Sequence, residues 1–341
     1  MPIFRRPEFR FLLALVAGLV TVGVVAALAF ARGNTIGTGI VVIDTNLGYQ
    51  GGAAAGSGMV LTPSGTVLTN NHVISGATTI RVVVPGTTHS YKATVVGYDK
   101  TRDVAVLRLK NASNLKTISV ASASPSVGQS VVAVGNAGGT GSLTSARGVV
   151  TGLNRSITAS DEQSAPEQLT GLIETNAGVQ PGDSGGPLLD TTDRVLGMDT
   201  AASANSSYAS ESSDAYAIPI GKALTIAKQI LGGKSSGTVH VGPTAFLGIE
   251  VQSTDDGYGG GGYTSSGALI AGVVPGGPAA SAGLSQGDVI TAIDGHAISS
   301  PDQVSPLILA KKPGAKVSVT YLDQDGDSYT TTVKLGTGPA Q

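Results

Sequence analysis

The apolar residues of this chain occur in short alternating segments separated by Gly, Pro, Asn and Ser, from Ile40–Ile43 to Tyr216–Ile220. Alternation with a period of two predicts half-buried strands, and many short strands with frequent turn residues indicate an all-β barrel or sandwich. In the body of the chain, only Gly221–Leu231 repeats its apolar residues with a convincing helical spacing. The 49 glycines suit tight turns, and charged residues form only 13% of the chain. The sequence therefore predicts a mostly β protein.

The composition excludes several classes of function. The net charge of −2 offers no basic surface for nucleic acid, and the absence of cysteine excludes disulfides and thiol chemistry. Gly135–Gly139 lacks the Lys-Ser/Thr of a phosphate-binding loop, and the acidic turn Asp323–Asp327 has its glycine too early for a calcium loop. We therefore expect no cofactor, no metal and no nucleic-acid partner.

The N-terminus carries a candidate membrane anchor. Residues 11–30 contain no charged side chain, and Arg5, Arg6 and Arg10 precede them. As a helix this segment is roughly 30 Å long, which matches the hydrocarbon thickness of a bilayer. The positive-inside rule then leaves the N-terminus in the cytoplasm and the rest of the chain outside the membrane. We predict a single-pass anchor, with a cleaved signal peptide as the alternative because Ala-x-Ala sequences occur near its end.

The segment Gly182–Pro187 reads Gly-Asp-Ser-Gly-Gly-Pro and surrounds one serine, Ser184, with glycine. So much glycine disfavours a helix or strand, but it lets the backbone turn tightly around a single side chain. A serine hydroxyl is a weak nucleophile unless a base takes its proton, and the oxyanion that forms needs preorganised donors. Gly182, Asp183 and Ser184 form the candidate oxyanion loop, with the N–H groups of Gly182 and Ser184 as the donors. The alternative is a polar glycine turn between two strands.

A candidate base and a candidate acid occur earlier in the chain. His72 lies in Thr69–Ile74, directly after an apolar run, and Asp103 stands at the head of an alternating segment. A histidine can accept the serine proton while an acid fixes its tautomer, so His72, Asp103 and Ser184 are the candidate catalytic residues. Asp99 is a weaker candidate for the acid because of its turn setting. The remaining histidines are interpreted as structural or solvent-facing: His89, His240 and His296.

The order and the surroundings of these residues resemble the chymotrypsin-like serine proteases, and most closely their bacterial HtrA (Deg) branch with a C-terminal PDZ domain. Other matching segments are Gly56–Gly58, Ala93–Asp99 and Tyr216–Ile220. The resemblance implies two six-stranded β-barrels, with the candidate base and acid on the first barrel and the nucleophile on the second. It also implies hydrolysis of polypeptides through an acyl-enzyme, and assembly into a homotrimer or a larger oligomer.

The same resemblance divides the chain into four parts. We expect a cytoplasmic stub and transmembrane anchor in residues 1–32, a protease domain in 33–232, a linker in 233–243 and a PDZ domain in 244–341. The linker begins with Gly, Lys and Ser residues, a composition that is typical of a flexible connector.

The resemblance also locates a specificity pocket. Gly178, six residues before the nucleophile, stands where such enzymes have the pocket floor, and Val179 and Thr200 are expected beside it. None of the three is an acid, so a basic substrate side chain would be buried there without a partner, which is costly. We predict cleavage after small or medium aliphatic residues.

In the PDZ-like region, Phe246-Leu247-Gly248-Ile249 stands where the family has its carboxylate-binding loop. Backbone N–H groups of such a loop hold a peptide C-terminus while the peptide adds as a strand beside a helix. Pro306 falls inside that helix and is expected to kink one wall of the groove. The alternative is a PDZ fold that serves only as a spacer or an assembly surface.

Asp183 departs from the family, because the HtrA branch generally has Asn at this position. We expect its carboxylate to accept backbone N–H groups or to pair with a nearby cation. A rearrangement of its loop could then switch the oxyanion hole on and off. The alternative is a static capping acid.

Together these features predict a membrane-anchored, extracytoplasmic serine endopeptidase that degrades or processes unfolded or damaged exported proteins, as in protein quality control and stress response. One alternative is a non-hydrolytic peptide-binding or chaperone-like protein with inert barrels. Another is a dedicated processing protease with one native substrate, which the sequence does not separate from general quality control.

Overall fold

The structure, a computed structural model, describes residues 37–159, 167–200, 215–254 and 266–340. The candidate membrane anchor, residues 11–30, lies outside the described residues. In the part of the chain that is described, no helix has both the length and the hydropathy needed to cross a bilayer. The described residues fold mostly as strands, which form two barrels and a C-terminal domain.

The first barrel is a ring of six antiparallel strands. They are β1 (Ile40–Leu47), β2 (Gly52–Thr62), β3 (Thr66–Thr69), β4 (Thr79–Val83), β5 (Ser90–Asp99) and β6 (Val104–Leu109). The order is β5-β4-β1-β2-β3-β6, and a further pairing of β5 with β6 closes the ring. Ile43, Val67 and Leu107 are fully buried in its core. Gly58 leaves room for them, because a Cβ there would lie 2.8 Å from Val67 and 2.9 Å from Ile43.

The second barrel also closes with six strands. They are β7 (Ser130–Gly135), β8 (Thr144–Ala159), β9 (Glu167–Thr175), β10 (Pro187–Leu189), β11 (Val195–Thr200) and β12 (Ala215–Pro219). The order around the barrel is β10-β11-β12-β9-β8-β7, and its core includes Val131, Ile173 and Leu188. The pair of six-stranded barrels expected from the sequence is therefore confirmed.

Two helices accompany the barrels, α1 (Asn71–Ile74) after β3 and α2 (Ile220–Leu231) after β12. The second confirms the helix expected at Gly221–Leu231. Its buried residues recur every three or four positions, and the helix contacts β5 and β6 of the first barrel and β11 of the second. The chain that follows lies in the segment expected to be a linker, and there β13 (Val239–Val241) pairs antiparallel with β5.

The C-terminal domain has a main sheet and a separate two-stranded sheet around its own apolar core. Its strands are β14 (Thr244–Phe246), β15 (Ile249–Ser253), β16 (Ala268–Val273), β17 (Val289–Ile293), β18 (His296–Ala297), β19 (Lys316–Leu322), β20 (Ser328–Lys334) and β21 (Gly336–Gly338). The main sheet has the order β15-β16-β17-β19-β20, so β15 is an edge strand. Two short helices complete the domain, α3 (Pro278–Ser281) and α4 (Val304–Leu309).

The helix expected to wall the peptide groove begins as a 3₁₀ turn at Pro301–Gln303 and continues as α4. Pro306 is the third residue of α4 and therefore lies in its first turn. The missing N–H of a proline costs little there, because the first N–H groups of an α-helix have no intrahelical acceptor. The expected kink from a proline in the helix interior is thus replaced by a 3₁₀-to-α transition.

After β21 the chain returns to the first barrel. Ala340 forms a parallel bridge with Ser75, and its carbonyl accepts the Gly76 N–H at 2.9 Å. Ala340 is buried within the core of the first barrel. The ring of Tyr49, between β1 and β2, stacks on Phe246 with a centroid distance of 5.1 Å and an interplanar angle of 13°. The C-terminal domain is thus fastened to the first barrel close to α1.

Candidate active site

His72, the second residue of α1, is held by Asp103 at two points. The His72 Nδ1 atom lies 2.9 Å from Asp103 Oδ2, and the His72 backbone N–H donates to Asp103 Oδ1 at 3.0 Å. The Asp103 side chain is 6% exposed and the His72 side chain is 41% exposed. Because the carboxylate occupies the Nδ1 side, the neutral imidazole keeps its acceptor at Nε2. The arrangement is that of an oriented general base.

Asp103 reaches His72 from an unusual backbone position at the start of β6. Its φ of +53° lies in the left-handed region, which aspartate tolerates better than most residues. It ends the 3₁₀ turn Lys100–Arg102, and its N–H donates to the Lys100 carbonyl at 3.2 Å. The Asn70 amide donates to the Asp103 carbonyl at 2.9 Å. These local contacts hold the carboxylate against α1.

Thr200, the last residue of β11, donates its hydroxyl to Asp103 Oδ2 at 3.0 Å. This hydrogen bond joins the candidate acid on the first barrel to the barrel that carries Ser184. Sequence analysis expected Thr200 in the specificity pocket and missed its contact with Asp103. The pairing of two residues 97 positions apart leaves no local signal in the sequence.

The loop that carries Ser184 is clamped by Ser57 in β2. The Ser57 N–H donates to the Ser184 carbonyl at 2.8 Å, and the Ser57 hydroxyl donates to the Gly182 carbonyl at 2.8 Å. Gly182 and Gly185 have φ values of +99° and +85°, and a Cβ at either position would overlap the backbone oxygen of Asn136 or Ser57. Both positions therefore require glycine. Sequence analysis quoted Ser57 only as part of a family motif and did not predict its clamping role.

The N–H of Asp183, the middle residue of the candidate oxyanion loop, was not among the expected donors. The Asp183 N–H donates to the Gln180 carbonyl at 2.9 Å, so it is used within the loop and does not point at a substrate. The Gly182 carbonyl accepts a hydrogen bond from the Ser57 hydroxyl. The N–H groups of Gly182 and Ser184 remain the candidate donors to the oxyanion.

Two buried carboxyl groups adjoin this loop. Asp183 Oδ2 accepts the Gln180 N–H at 2.9 Å, whereas Oδ1 has no hydrogen-bond partner among the described residues. Burial raises the pKa of Asp183, and the hydrogen bond from Gln180 opposes this shift. Asp199 in β11 is fully buried, and neither carboxyl oxygen has a partner in the described part of the chain. Burial, and then the charge of Asp183, raises the pKa of Asp199 well above its usual range.

The hypothesis for Asp183 is thus resolved in favour of a backbone donor. No cation pairs with Asp183 among the residues that the structure describes. Asp199 was not singled out from the sequence. An acid inside the apolar run of β11 was the signal that could have identified it.

Gly178 and Val179, the expected specificity residues, precede the nucleophile loop. A Cβ built at Gly178 meets no atom within 4 Å, so this position opens on free space. Val179 is partly buried against the core of the second barrel. Neither residue brings a charge to this region.

The loop between β14 and β15 contains the expected carboxylate-binding residues. Leu247 is buried, and its carbonyl accepts the N–H of Ala279 in α3 at 3.0 Å. Gly248 has a φ of +80°, and its carbonyl accepts the N–H of Val274 at 3.0 Å. Ile249 begins the edge strand β15 and packs against the core of the domain. Phe246 stacks on Tyr49 of the first barrel.

Known proteins share this combination of domains. Residues 56–198 match the family described as "Trypsin-like peptidase domain", and residues 245–335 match the family described as "PDZ domain". Over 319 residues the chain is 35% identical to "Serine protease PepD" of Mycobacterium tuberculosis, which covers 87% of this chain and 63% of that protein. Among solved structures, "HtrA-type protease AlgW with tripeptide" is 28% identical with a TM-score of 0.50, and the match covers 89% of this chain and 95% of that chain.

The chain belongs to the HtrA family of trypsin-like serine proteases with a PDZ domain. A further relative, "Probable periplasmic serine protease do/HhoA-like" of Haemophilus influenzae, is 36% identical over 282 residues, or 82% of this chain and 58% of that protein. The chain thus spans about three-fifths of the length of these two curated relatives, 63% and 58%. The resemblance to an HtrA protease with a PDZ domain is confirmed.

Proposed function

We propose that the protein is a serine endopeptidase that hydrolyses polypeptides through Ser184. The observation that carries this proposal is the 2.9 Å contact between His72 Nδ1 and Asp103 Oδ2 at the boundary of the two barrels. Ser57 holds the nucleophile loop against the same boundary from the first barrel, and Thr200 reaches Asp103 from the second. Base, acid and nucleophile loop are therefore tied together.

The reaction follows from these positions. His72 Nε2 takes the hydroxyl proton of Ser184 as Oγ bonds to the carbonyl carbon of the substrate, and Asp103 stabilises the imidazolium. The N–H groups of Gly182 and Ser184 hold the negative charge on the carbonyl oxygen. The C–N bond then breaks, the proton passes from His72 to the leaving amine, and an ester with Ser184 is left.

Water completes the cycle on the acyl-enzyme. His72 takes a proton from water as the oxygen attacks the ester carbonyl. The ester C–O bond breaks, and the proton returns from His72 to the Ser184 oxygen. The products are a carboxylic acid, an amine and the free enzyme.

For substrate choice, we place the side chain before the cut bond beside Gly178, Val179 and the backbone of Thr200. The open space at Gly178 and the lack of charge there support small or medium aliphatic residues. A library of peptides tests this proposal. Cleavage after Val, Ala or Leu is expected, and dominant cleavage after Arg or Lys would refute it.

For the PDZ domain, we place a peptide C-terminus at the loop of Phe246, Leu247, Gly248 and Ile249. The open edge of β15 supports this placement, because an extended peptide can add to it as a further strand. Substitution of Gly248 by Val would strain the positive φ of that residue. Reduced binding of C-terminal peptides by this variant, measured by fluorescence anisotropy, is the expected result.

For the cellular setting, we propose a single-pass anchor in residues 11–30 that leaves residues 33–341 outside the cytoplasm, with a protease domain in 33–232, a linker in 233–243 and a PDZ domain in 244–341. A relative named as a periplasmic serine protease supports an exported location. Unfolded or damaged exported proteins are the proposed substrates, and a homotrimer or a larger oligomer is the proposed assembly.

Casein degradation by the wild type and by Ser184→Ala tests the proposed function. Loss of degradation is expected in Ser184→Ala, whereas Ser124→Ala, an exposed serine outside the site, serves as the matched control. Equal degradation by all three proteins would leave the non-hydrolytic, chaperone-like function instead. Cleavage of a single native protein with casein untouched would favour a dedicated processing protease.

A further inference from the structure

Asp183 and Asp199 are both linked to the loop that carries the nucleophile Ser184, Asp183 through the chain and Asp199 through hydrogen bonds. Asp183 immediately precedes Ser184 in the chain. The Asp199 carbonyl accepts the Gly185 N–H at 2.9 Å, and the Asp199 N–H donates to the Gly186 carbonyl at 2.8 Å. A change in the charge of either carboxyl group therefore acts directly on the loop that carries Ser184.

Among the described residues, the elements packed against Asp199 bring no cation to its carboxyl group. β12 places Ala217 opposite Asp199, and next to it Tyr216, whose hydroxyl donates to Glu174 at 3.4 Å. β10 places Pro187 opposite the preceding residue of β11. The buried face of α2 consists of apolar residues, namely Ile220, Ala223, Ile226, Ala227 and Ile230. The nucleophile loop contributes Asp183, and the adjoining Thr200 leads to the Asp103–His72 pair.

Three internal segments lie outside the described residues, in addition to residues 1–36, which carry Arg5, Arg6, Arg10 and Arg32. Residues 160–166, 201–214 and 255–265 contain no Lys, Arg or His. The backbones of the two acids are joined through one residue, because the Gly186 N–H donates to the Asp183 carbonyl and the Gly186 carbonyl accepts from the Asp199 N–H, each at 2.8 Å. Two neighbouring carboxylates that are buried without a cation cannot both stay ionised at ordinary cost, because each charge is desolvated and repels the other. A proton bound to one of them removes the repulsion and adds a donor.

We propose that Asp183 and Asp199 form a carboxylic acid–carboxylate pair in which Asp199 carries the proton, and that this pair positions the loop bearing Ser184 and its oxyanion donors. Asp199 is then a positioning residue that acts through Asp183 and the glycines after Ser184. The effect of this pair on catalysis rests on the proposed function. The proton on Asp199 does not depend on that function.

The pair makes catalysis sensitive to alkaline pH. Protonation of His72 lowers the activity on the acid side of the profile, as in any mechanism with a histidine base. Ionisation of Asp199 lowers it on the alkaline side, since two neighbouring carboxylates then push the loop apart. Because the loop shapes the oxyanion hole, the loss falls on kcat more than on KM.

The pH dependence of kcat and KM for an internally quenched peptide with valine before the cut bond tests the pair. For the wild type, kcat is expected to fall by about tenfold per pH unit above the ionisation of Asp199. Asp199→Asn keeps a neutral side chain of the same shape that can still donate, so its kcat is expected to stay level there. Asp193→Asn, an exposed acid in the β10–β11 hairpin, is the control and should follow the wild type.

Thermal unfolding in the inactive Ser184→Ala background separates the pair from the proposed function. Because the folded-state pKa of Asp199 is raised, the protonated carboxyl stabilises the fold fully below the unfolded value of about 3.9. This stability is lost as pH rises through the folded-state pKa. The Tm of Asp199→Asn should therefore rise relative to the Tm of its Ser184→Ala parent as pH increases. If Asp199→Asn does not fold, Asp183→Asn should weaken the dependence of Tm on pH, because it removes the neighbouring charge but not the burial of Asp199.

The two readouts have separate meanings. A Tm difference that rises with pH and is smaller when Asp183→Asn is also present, without peptide hydrolysis by any variant, would support the pair and contradict the proposed function. Superimposable pH profiles of kcat, together with a Tm difference that does not change with pH, would overturn the pair even if the enzyme hydrolyses casein.

Discussion

The two barrels treat their buried carboxyl groups in opposite ways. In the first barrel, Asp99 is fully buried and accepts the Thr101 hydroxyl at 2.9 Å, the Arg102 N–H at 3.1 Å and the Arg102 guanidinium at 2.6 Å. In the second barrel, Asp199 is equally buried, but its carboxyl group accepts no hydrogen bond from any described residue. An equally buried aspartate side chain thus has several hydrogen-bond donors in the first barrel and none among the described residues in the second.

The difference continues in the residues next to the reaction. Asp103 receives two donors from His72 and one from Thr200, whereas Asp183 receives a single N–H. Burial by itself disfavours a charged carboxylate, and only donors or a cation restore it. The comparison teaches that the first barrel surrounds its buried acids with hydrogen-bond donors, while the second gives Asp183 one donor and the carboxyl group of Asp199 none among the described residues.

Asp103→Asn should have the largest effect, because it changes the carboxyl group that orients the base His72. The amide has one acceptor oxygen where the carboxylate has two, so when that oxygen accepts the His72 backbone N–H, the NH₂ group faces Nδ1. The wrong tautomer is then favoured, and kcat should fall by about 10⁴-fold as in other Ser-His-Asp sites. Peptide hydrolysis measures the loss, and an unchanged circular dichroism spectrum shows that the fold is kept. A loss below tenfold would mean that Asp103 does not orient the base.

Arg102→Ala should have the next largest effect, and it falls on stability. The change removes the guanidinium from Asp99, and a hydrogen bond to a charged group contributes about 1.5–3 kcal/mol. Because the Arg102 side chain is 47% exposed, the lower end of this range is expected. The midpoint of urea unfolding measures the change. Arg108→Ala, an exposed arginine on β6, is the control, and an equal shift in both variants would contradict the account.

Thr200→Val should have the smallest effect of the three. It removes the hydroxyl that joins Asp103 to the second barrel but keeps the volume of the side chain. A loss of about tenfold in kcat is expected, because one charge-assisted hydrogen bond of about 1.4 kcal/mol is removed. Steady-state kinetics with the same peptide measure the loss in kcat. An unchanged kcat with a raised KM would assign Thr200 to the substrate pocket alone.

Much of the architecture could be predicted because its signals are local. Alternation with a period of two predicted the strands, and helical spacing predicted α2. The glycine-rich segment around Ser184 predicted the nucleophile loop. The saturated acid of the triad was found in the same way, since Asp103 stands at the head of an alternating segment.

The rest depends on contacts between distant parts of the chain. Ser57 meets Gly182 across 125 positions, and Thr200 meets Asp103 across 97. The return of Ala340 to the first barrel and the pairing of β13 with β5 depend on how the C-terminal domain docks. Asp199 looked like one acid in a strand, because its lack of donors is visible only after the barrel has closed around it.

The most direct test of the central claim is the position at which a fluorophosphonate probe reacts, read by mass spectrometry of the digested protein. A working triad and oxyanion hole predict one labelled peptide, carrying the probe on Ser184. Labelling should disappear in Ser184→Ala, drop sharply in His72→Ala and persist in Ser124→Ala. Labelling that persists in Ser184→Ala, or none in the wild type under conditions in which trypsin is labelled, would contradict the account.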